Sequence, residues 1–291
     1  MQIGFVGLGA IGTPMARNLV KAGFEVRCYD VRAEAVSALA AAGARSAASA
    51  VEAAEGADLL VLMVVNAAQA EQVLFEGGAA SALPEGGVVA LMSTCPPGAV
   101  ADLAARVQAL GRRFVDAPVS GGVAGAKAAT LTIMAAAPAA VLDQVRPALE
   151  ALGDKIFHVG ETPGQGAAVK TVNQLLCGVH IAAAGEALAL AARMGVEPSV
   201  ALRILSGSSA ASWMLNDRGP RMLEAEPEVT SAIDIFVKDL GIVMEAGGEA
   251  KAPLPLASAA YQLFLATSGR GEGSADDSQV IRTYRAMTGD G

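Results

Sequence analysis

The chain has 291 residues, with 21 Lys and Arg against 29 Asp and Glu, for a formal net charge of −8. That length suits two ordinary domains, and the acidic balance argues against a nucleic-acid-binding protein. Hydrophobic residues make up 53% and aromatics 4%, so the expected core is built from Ala, Val, Leu and Met; three scattered cysteines without a CxxC pair read as reduced thiols of a cytoplasmic protein.

A strand pattern starts at Ile3, so no targeting segment is expected. The apolar run Ile3, Phe5, Val6 leads into Gly7-Leu8-Gly9-Ala10-Ile11-Gly12 and then at once into a helical pattern. Strand, glycine turn and helix in that order place a dinucleotide pyrophosphate on a helix N-terminus. Gly7 permits the turn, Gly9 lets the backbone approach the phosphates, and Gly12 lets helix and strand pack closely. Asp30 closes a second strand-like run from Glu25, at the distance from the glycines that a ribose-binding acid requires. Its carboxylate suits ribose hydroxyls and repels a 2′-phosphate, which favours NAD; Arg32 beside it offers a way to receive that phosphate and keeps NADP as the alternative.

A helix is predicted near Ala33 to Ala42. The runs Asp58–Val65 and Gly87–Met92 are continuous apolar stretches, as in parallel strands buried on both faces. The longest purely apolar run, Leu59 to Val65, is too short to span a bilayer. Only the helical stretch Leu175–Ala192 comes near that length, and it carries His180 and Glu186. Ser93 and Thr94 end the strand 88–92 at the sheet edge where ligands bind; N-capping a helix opened by Pro96 and Pro97 is an equal reading. Phe114–Asp116 leads to Ser120-Gly121-Gly122, whose successive glycines make a nest suited to a carboxylate or phosphate, although on these residues alone a plain turn is simpler. Leu131–Met134 and Lys155–His158 complete the strand signals. The alternation predicts a doubly wound α/β domain over residues 1–162.

From residue 163 the pattern is helical to residue 291. A breaker cluster, Thr162–Gly166, precedes a helix over Ala167–Met194, roughly 40 Å long and ended by Gly195. Further helical periods fall at Ser199–Ser206, Ile233–Ala246 and Pro255–Thr267, and the glycine-rich stretch Gly269–Ser274 is expected to be a mobile loop. On the long helix Lys170, Asn173, Gln174 and Cys177 share one face. A lysine and an amide one turn apart can grip one hydroxyl, the lysine exchanging its proton and the amide orienting its oxygen, as oxidation of an alcohol by a nicotinamide requires. An unperturbed lysine titrates near about 10.4, so such a base needs burial or a nearby cation; the residues alone leave a solvated surface lysine open. Lys238-Asp239 reads either as a solvated pair or as a lysine that reaches a cofactor and an acid that orients it. His158 and His180 read as structural, and Trp213 as a packed residue, although its neighbourhood Ser208–Leu215 is polar enough to border a pocket. Neither HExxH nor a Cys/His cluster occurs, so no metal is expected.

Four motifs in order, Gly7–Leu19, Asp116–Gly122, Gly164–Asn173 and Lys238–Leu240, resemble those of the β-hydroxyacid dehydrogenases, the family of 3-hydroxyisobutyrate dehydrogenase and tartronate semialdehyde reductase. The resemblance covers nearly the whole chain. It implies a Rossmann domain followed by an all-helical domain on one long helix, Lys170 as catalytic lysine, and Asn173 as the amide holding the substrate hydroxyl. It also implies Ser120, Gly121 and Gly122 as the carboxylate-binding loop, and Val65, Asn66, Thr94 and Lys238 beside the cofactor. Within the family the segment Lys170–Glu186, with Gln174 where many relatives carry asparagine, is most similar to the subgroup that oxidises L-threonate; Ser212–Met214, Asp234–Leu240, Pro253–Ser258 and Asp276–Ser278 are similar too. The chain departs from the pattern at Ala10 and Ile11 and in the loop Glu226–Ser231. The implied partners are a small carboxylate substrate and a second copy or more of the chain, as homodimer or homotetramer, without nucleic acid or membrane. Competing readings are 3-hydroxyisobutyrate or tartronate semialdehyde as substrate, an imine reductase, which Lys170 disfavours, and a nucleotide sensor without catalysis, which would need neither the Lys170/Asn173 pair nor the Ser120 loop.

Overall fold

The structure, a computed structural model, describes residues 1–288. It forms two compact units, Met1–Lys170 and a second that begins at Thr171. The first unit runs β1 (Gln2–Val6), α1 (Gly12–Lys21), β2 (Glu25–Tyr29), α2 (Ala33–Ala40), β3 (Arg45–Ser46), α3 (Ala50–Ala54), β4 (Leu59–Leu62), α4 (Ala67–Glu71), α5 (Ala79–Ala82), β5 (Val88–Leu91), α6 (Pro97–Ala109), β6 (Arg113–Asp116), β7 (Val119–Ser120), α7 (Gly122–Ala128), β8 (Thr132–Ala136), α8 (Ala139–Glu150) and β9 (Lys155–Gly160). The strand order is β3-β2-β1-β4-β5-β6-β8-β7, with β9 on β8. From β3 to β6 every pairing is parallel, the Rossmann arrangement. Beyond β6 the sheet becomes mixed, because β8 runs antiparallel to β6 and β7.

The continuous apolar runs follow from helices covering both faces of this sheet. Along β4, Leu59 and Val61 enter one core and Leu60 and Leu62 the other, since successive side chains point to opposite faces. Ser93 does not cap α6, whose first turn has Pro96 before it and no side-chain cap; its hydroxyl accepts from the Val64 N–H instead.

The second unit is helical. It takes most of α9 (Gln165–Arg193), then α10 (Pro198–Ser206), α11 (Trp213–Met222), α12 (Ile233–Glu249), α13 (Pro255–Thr267) and α14 (Ile281–Thr288). Gly195, at φ 75°, ends α9 as expected, and the Val196 N–H reaches back to the Ala191 carbonyl. Among the described residues α9 is the single helix long and apolar enough to cross a bilayer. Its apolarity has a local use: Cys177, Ile181, Ala184 and Leu188, at helical spacing, enter the core of the second unit with Leu240 and Phe264.

Two expectations are corrected here. The stretch Gly269–Ser274 is not irregular throughout: Ser268–Glu272 forms a helical turn kinked at Gly271, at φ 86°, and Glu272 pairs with both Arg270 and Arg282. Trp213 is not packed away; it is 53% exposed, behind the N-cap Ser212, with the Arg218 guanidinium 5.9 Å from its ring.

Candidate active site

At the end of β1 the chain turns through Gly7 with φ 99°. A Cβ at Gly7 would strike the Met63 carbonyl, and one at Gly12 the Gly7 carbonyl, so both positions require glycine. Gly9 differs. Apart from its own chain neighbours, no described heavy atom lies within 4 Å of where its Cβ would be, so the backbone there stands open. Ala10 is exposed, Ile11 half-buried, and no side chain caps the first turn of α1. A helix start with open backbone before it and amides without a side-chain cap is a site that fits a dinucleotide pyrophosphate.

Asp30 sits against this loop. Its carboxylate accepts the Leu8 N–H at 2.6 Å and the Arg32 N–H and Nε–H at 2.9 and 3.0 Å, while the Arg32 Nη2 donates to the Leu8 carbonyl at 2.8 Å. Burial opposes the charge, but these hydrogen bonds outweigh it and hold the carboxyl below its ordinary range. Arg32, offered by the sequence as a receiver of phosphate, is thus engaged with the acid it was set against.

The carboxyl ends of β4 and β5 lie side by side. Val65 is exposed and Thr94 half-buried. Asn66 accepts the Gln69 N–H while the Gln69 side chain accepts the Val65 N–H, a reciprocal cap that shapes the loop. Ser120 ends β7, and Gly121 and Gly122 follow at φ 128° and 60°; a Cβ at Gly122 would meet no described atom within 4 Å.

Asp116, at the end of β6, is 1% exposed, and its Oδ2 accepts the N–H groups of Gly164 at 2.8 Å and Ala167 at 2.9 Å. Burial pushes its carboxyl up to about 6, against the lowering effect of the backbone N–H groups of Ala167, Gly164 and Gly166. Lys170 follows on α9 and is 6% exposed. The expected surface-lysine alternative therefore falls away.

In the second unit, Asn173 accepts from the Cys177 Sγ at 3.6 Å, and Gln174 donates through Nε2 to Asp239 Oδ2 at 2.5 Å. Lys238 Nζ lies 2.8 Å from the other Asp239 oxygen. Asp239 is 3% exposed, so this is not a solvated pair. Gln174 and Lys238, 64 positions apart, thus meet on one carboxylate. His158 donates through Nε2–H to the Ala137 carbonyl at 2.8 Å, a structural part as expected. No part for Asp116 and no Ser93–Val64 link is evident in the sequence; an acid closing an apolar strand is the one signal that points to the former.

Residues 2–160 match the family of the NAD binding domain of 6-phosphogluconate dehydrogenase, and residues 164–284 match the family of NAD-binding of NADP-dependent 3-hydroxyisobutyrate dehydrogenase. The chain is 42% identical to L-threonate dehydrogenase of Cupriavidus necator, covering 97% of this chain and 96% of that one. It is 38% identical to 2-(hydroxymethyl)glutarate dehydrogenase of Eubacterium barkeri, with 99% and 96% covered. The crystal structure of 3-hydroxyisobutyrate dehydrogenase from Salmonella typhimurium superposes with a TM-score of 0.93 at 41% identity, covering 97% of this chain and 99% of that chain.

Proposed function

This chain belongs to the 3-hydroxyisobutyrate dehydrogenase-related family of NAD(P)-dependent hydroxyacid dehydrogenases, and from that premise we propose that it oxidises L-threonate to its 2-oxo acid with NAD. The 42% identity to an L-threonate dehydrogenase over 97% of the chain carries this reading.

Gly7, Leu8, Gly9, Ala10, Ile11 and Gly12 hold the dinucleotide, and Asp30 takes the adenosine ribose. Val65, Asn66, Thr94 and Lys238 border the rest of the cofactor. When bound, the nicotinamide supplies the acceptor for the hydride that leaves the carbinol carbon. Ser120, Gly121 and Gly122 bind the substrate carboxylate through a hydroxyl and amides. Lys170 removes the hydroxyl proton and Asn173 orients that oxygen, so proton and hydride depart from one carbinol. Gln174, held by Asp239, contacts a further hydroxyl of the substrate. A small carboxylate partner and a cytoplasmic setting follow, without nucleic acid or membrane. A homodimer or homotetramer suits the exposed Val172, Leu176 and Leu190 on α9, and sedimentation equilibrium measures it.

The test is a panel of L-threonate and 3-hydroxyisobutyrate with NAD and NADP, and of tartronate semialdehyde with NADH and NADPH, read as nicotinamide absorbance. L-Threonate with NAD is expected to give the highest kcat/KM. The likeness to the 3-hydroxyisobutyrate dehydrogenase of Salmonella typhimurium favours 3-hydroxyisobutyrate as second reading, and a preference for that acid would replace L-threonate. No turnover of any hydroxy acid would overturn the reaction class.

A further inference from the structure

The geometry points to Asp116 as a positioning residue for this reaction: it locks the helix that carries Lys170 to the strand that runs into the Ser120–Gly122 loop. The inference rests on the function proposed above, and it starts from the N-terminus of α9. An α-helix leaves its first N–H groups without intrahelical partners. Here one carboxylate oxygen, supplied from β6 some fifty positions upstream, takes two of the amides at that end, those of Gly164 and Ala167. A buried acid at a helix N-terminus also complements the positive end of the helix dipole.

The fit is close. A Cβ on Gly166 would stand 2.5 Å from the Met134 carbonyl oxygen and 2.8 Å from that of Asp116, so the start of α9 rests on the backbone of both β8 and β6. On the other side, Asp116 is four residues from Ser120, and the chain between them has little slack. The Ala117 N–H donates to Leu91 at 2.9 Å, the Pro118 carbonyl accepts from Met134 at 3.0 Å, and the proline ring fixes its own φ. One side chain therefore sets the spacing between the proposed carboxylate anchor and the proposed base. A slip of the helix start by one residue would turn Lys170 by about 100°.

The test compares Asp116→Ala, Asp116→Asn, which keeps one acceptor, and Gly166→Ala, which keeps the carboxylate in the chain but crowds it, with a Cβ 3.0 Å from its Cγ, and displaces the helix. Amide hydrogen exchange over 164–170 should rise about tenfold or more in Asp116→Ala and less in Asp116→Asn, because a buried amide loses its acceptor. On L-threonate, kcat should fall by about 30-fold or more and KM should rise, since misplacement by about an ångström costs on the order of a hundredfold. The Kd for NAD, measured by calorimetry, should stay within about twofold. Asp116→Asn should recover part of kcat, and Gly166→Ala should repeat the loss. Lower melting temperatures with kcat and KM unchanged per folded site would reduce Asp116 to a structural residue and overturn the inference. If the parent enzyme oxidises no hydroxy acid, the proposed function fails, and the exchange arm alone decides: a rise at 164–170 supports the lock, and unchanged exchange overturns it.

Discussion

Around Gly7–Gly12 the polar groups on offer are main-chain amides, whereas around Gln174 they are side-chain ends held by other side chains. The first arrangement depends on what is missing. Gly7 and Gly12 admit no Cβ because carbonyls occupy that space, and Gly9 leaves its surroundings empty. The second depends on charges being answered. Asp239 takes both Gln174 and Lys238, and Asp277 takes the buried Arg218 in a two-pronged pair at 2.9 Å on each prong. A site made of backbone fails when a Cβ is added; a site made of paired side chains fails when one partner is removed.

Lys170, the last residue of the first unit, gives the largest expected effect. Lys170→Ala should cut turnover by about 10²–10⁴, the usual worth of a general base, with NAD binding retained by calorimetry. Turnover within a few-fold of the parent would break the mechanism. Next comes the charge-built half. Arg218→Ala removes the two-pronged partner of the fully buried Asp277 and leaves it the Arg221 guanidinium at 4.0 Å, and urea unfolding followed by the fluorescence of Trp213 should show a loss of about 3–5 kcal/mol. Replacing both partners by apolar residues should return most of it, while NAD affinity in the first unit stays unchanged.

A pH titration of stability is the third expected outcome. The folded carboxyl of Asp116 lies at about 6, above its unfolded value, so its contribution is present in full below about pH 4 and is lost as pH rises through 6. Relative to Asp116→Asn, the parent protein should lose on the order of 2–3 kcal/mol across that window. A parallel pair of curves would contradict the burial argument. For the backbone-built half, Gly12→Ala should raise the Kd for NAD by about tenfold or more, near 1.4 kcal/mol, and leave the urea midpoint of the second unit in place. The smallest effect is expected at the surface of the same site. Asp30→Ala should loosen the preference for NAD over NADP severalfold, because Arg32 then loses its carboxylate; an unchanged ratio would count against Asp30 as the selecting group.

Local signals carried most of the fold. The glycines, the apolar runs of β4 and β5 and the long period of α9 are written within a few residues of where they act. The candidate site was legible for the same reason, since its motifs are short. What sequence could not supply is pairing at a distance. Gln174 and Asp239 are 65 residues apart, and Asp116 meets α9 across 48 and 51. Composition also misled where charge overrode it. Gly269–Ser274 reads as loose until Arg270 and Arg282 are seen on Glu272, and Trp213 reads as core until its edge is found in solvent. The short β3 and β7, two residues each, are too brief to leave a periodic trace.

The hydroxyl of Ser93 accepts the Val64 N–H across the carboxyl ends of two neighbouring strands. That link extends the β4–β5 ladder, so the segment bearing Val65 and Asn66 and the segment bearing Thr94 are tied together. Anyone retuning cofactor choice at either segment will be editing both, so libraries that vary 64–66 and 93–94 together should yield working enzymes that libraries varying one alone do not.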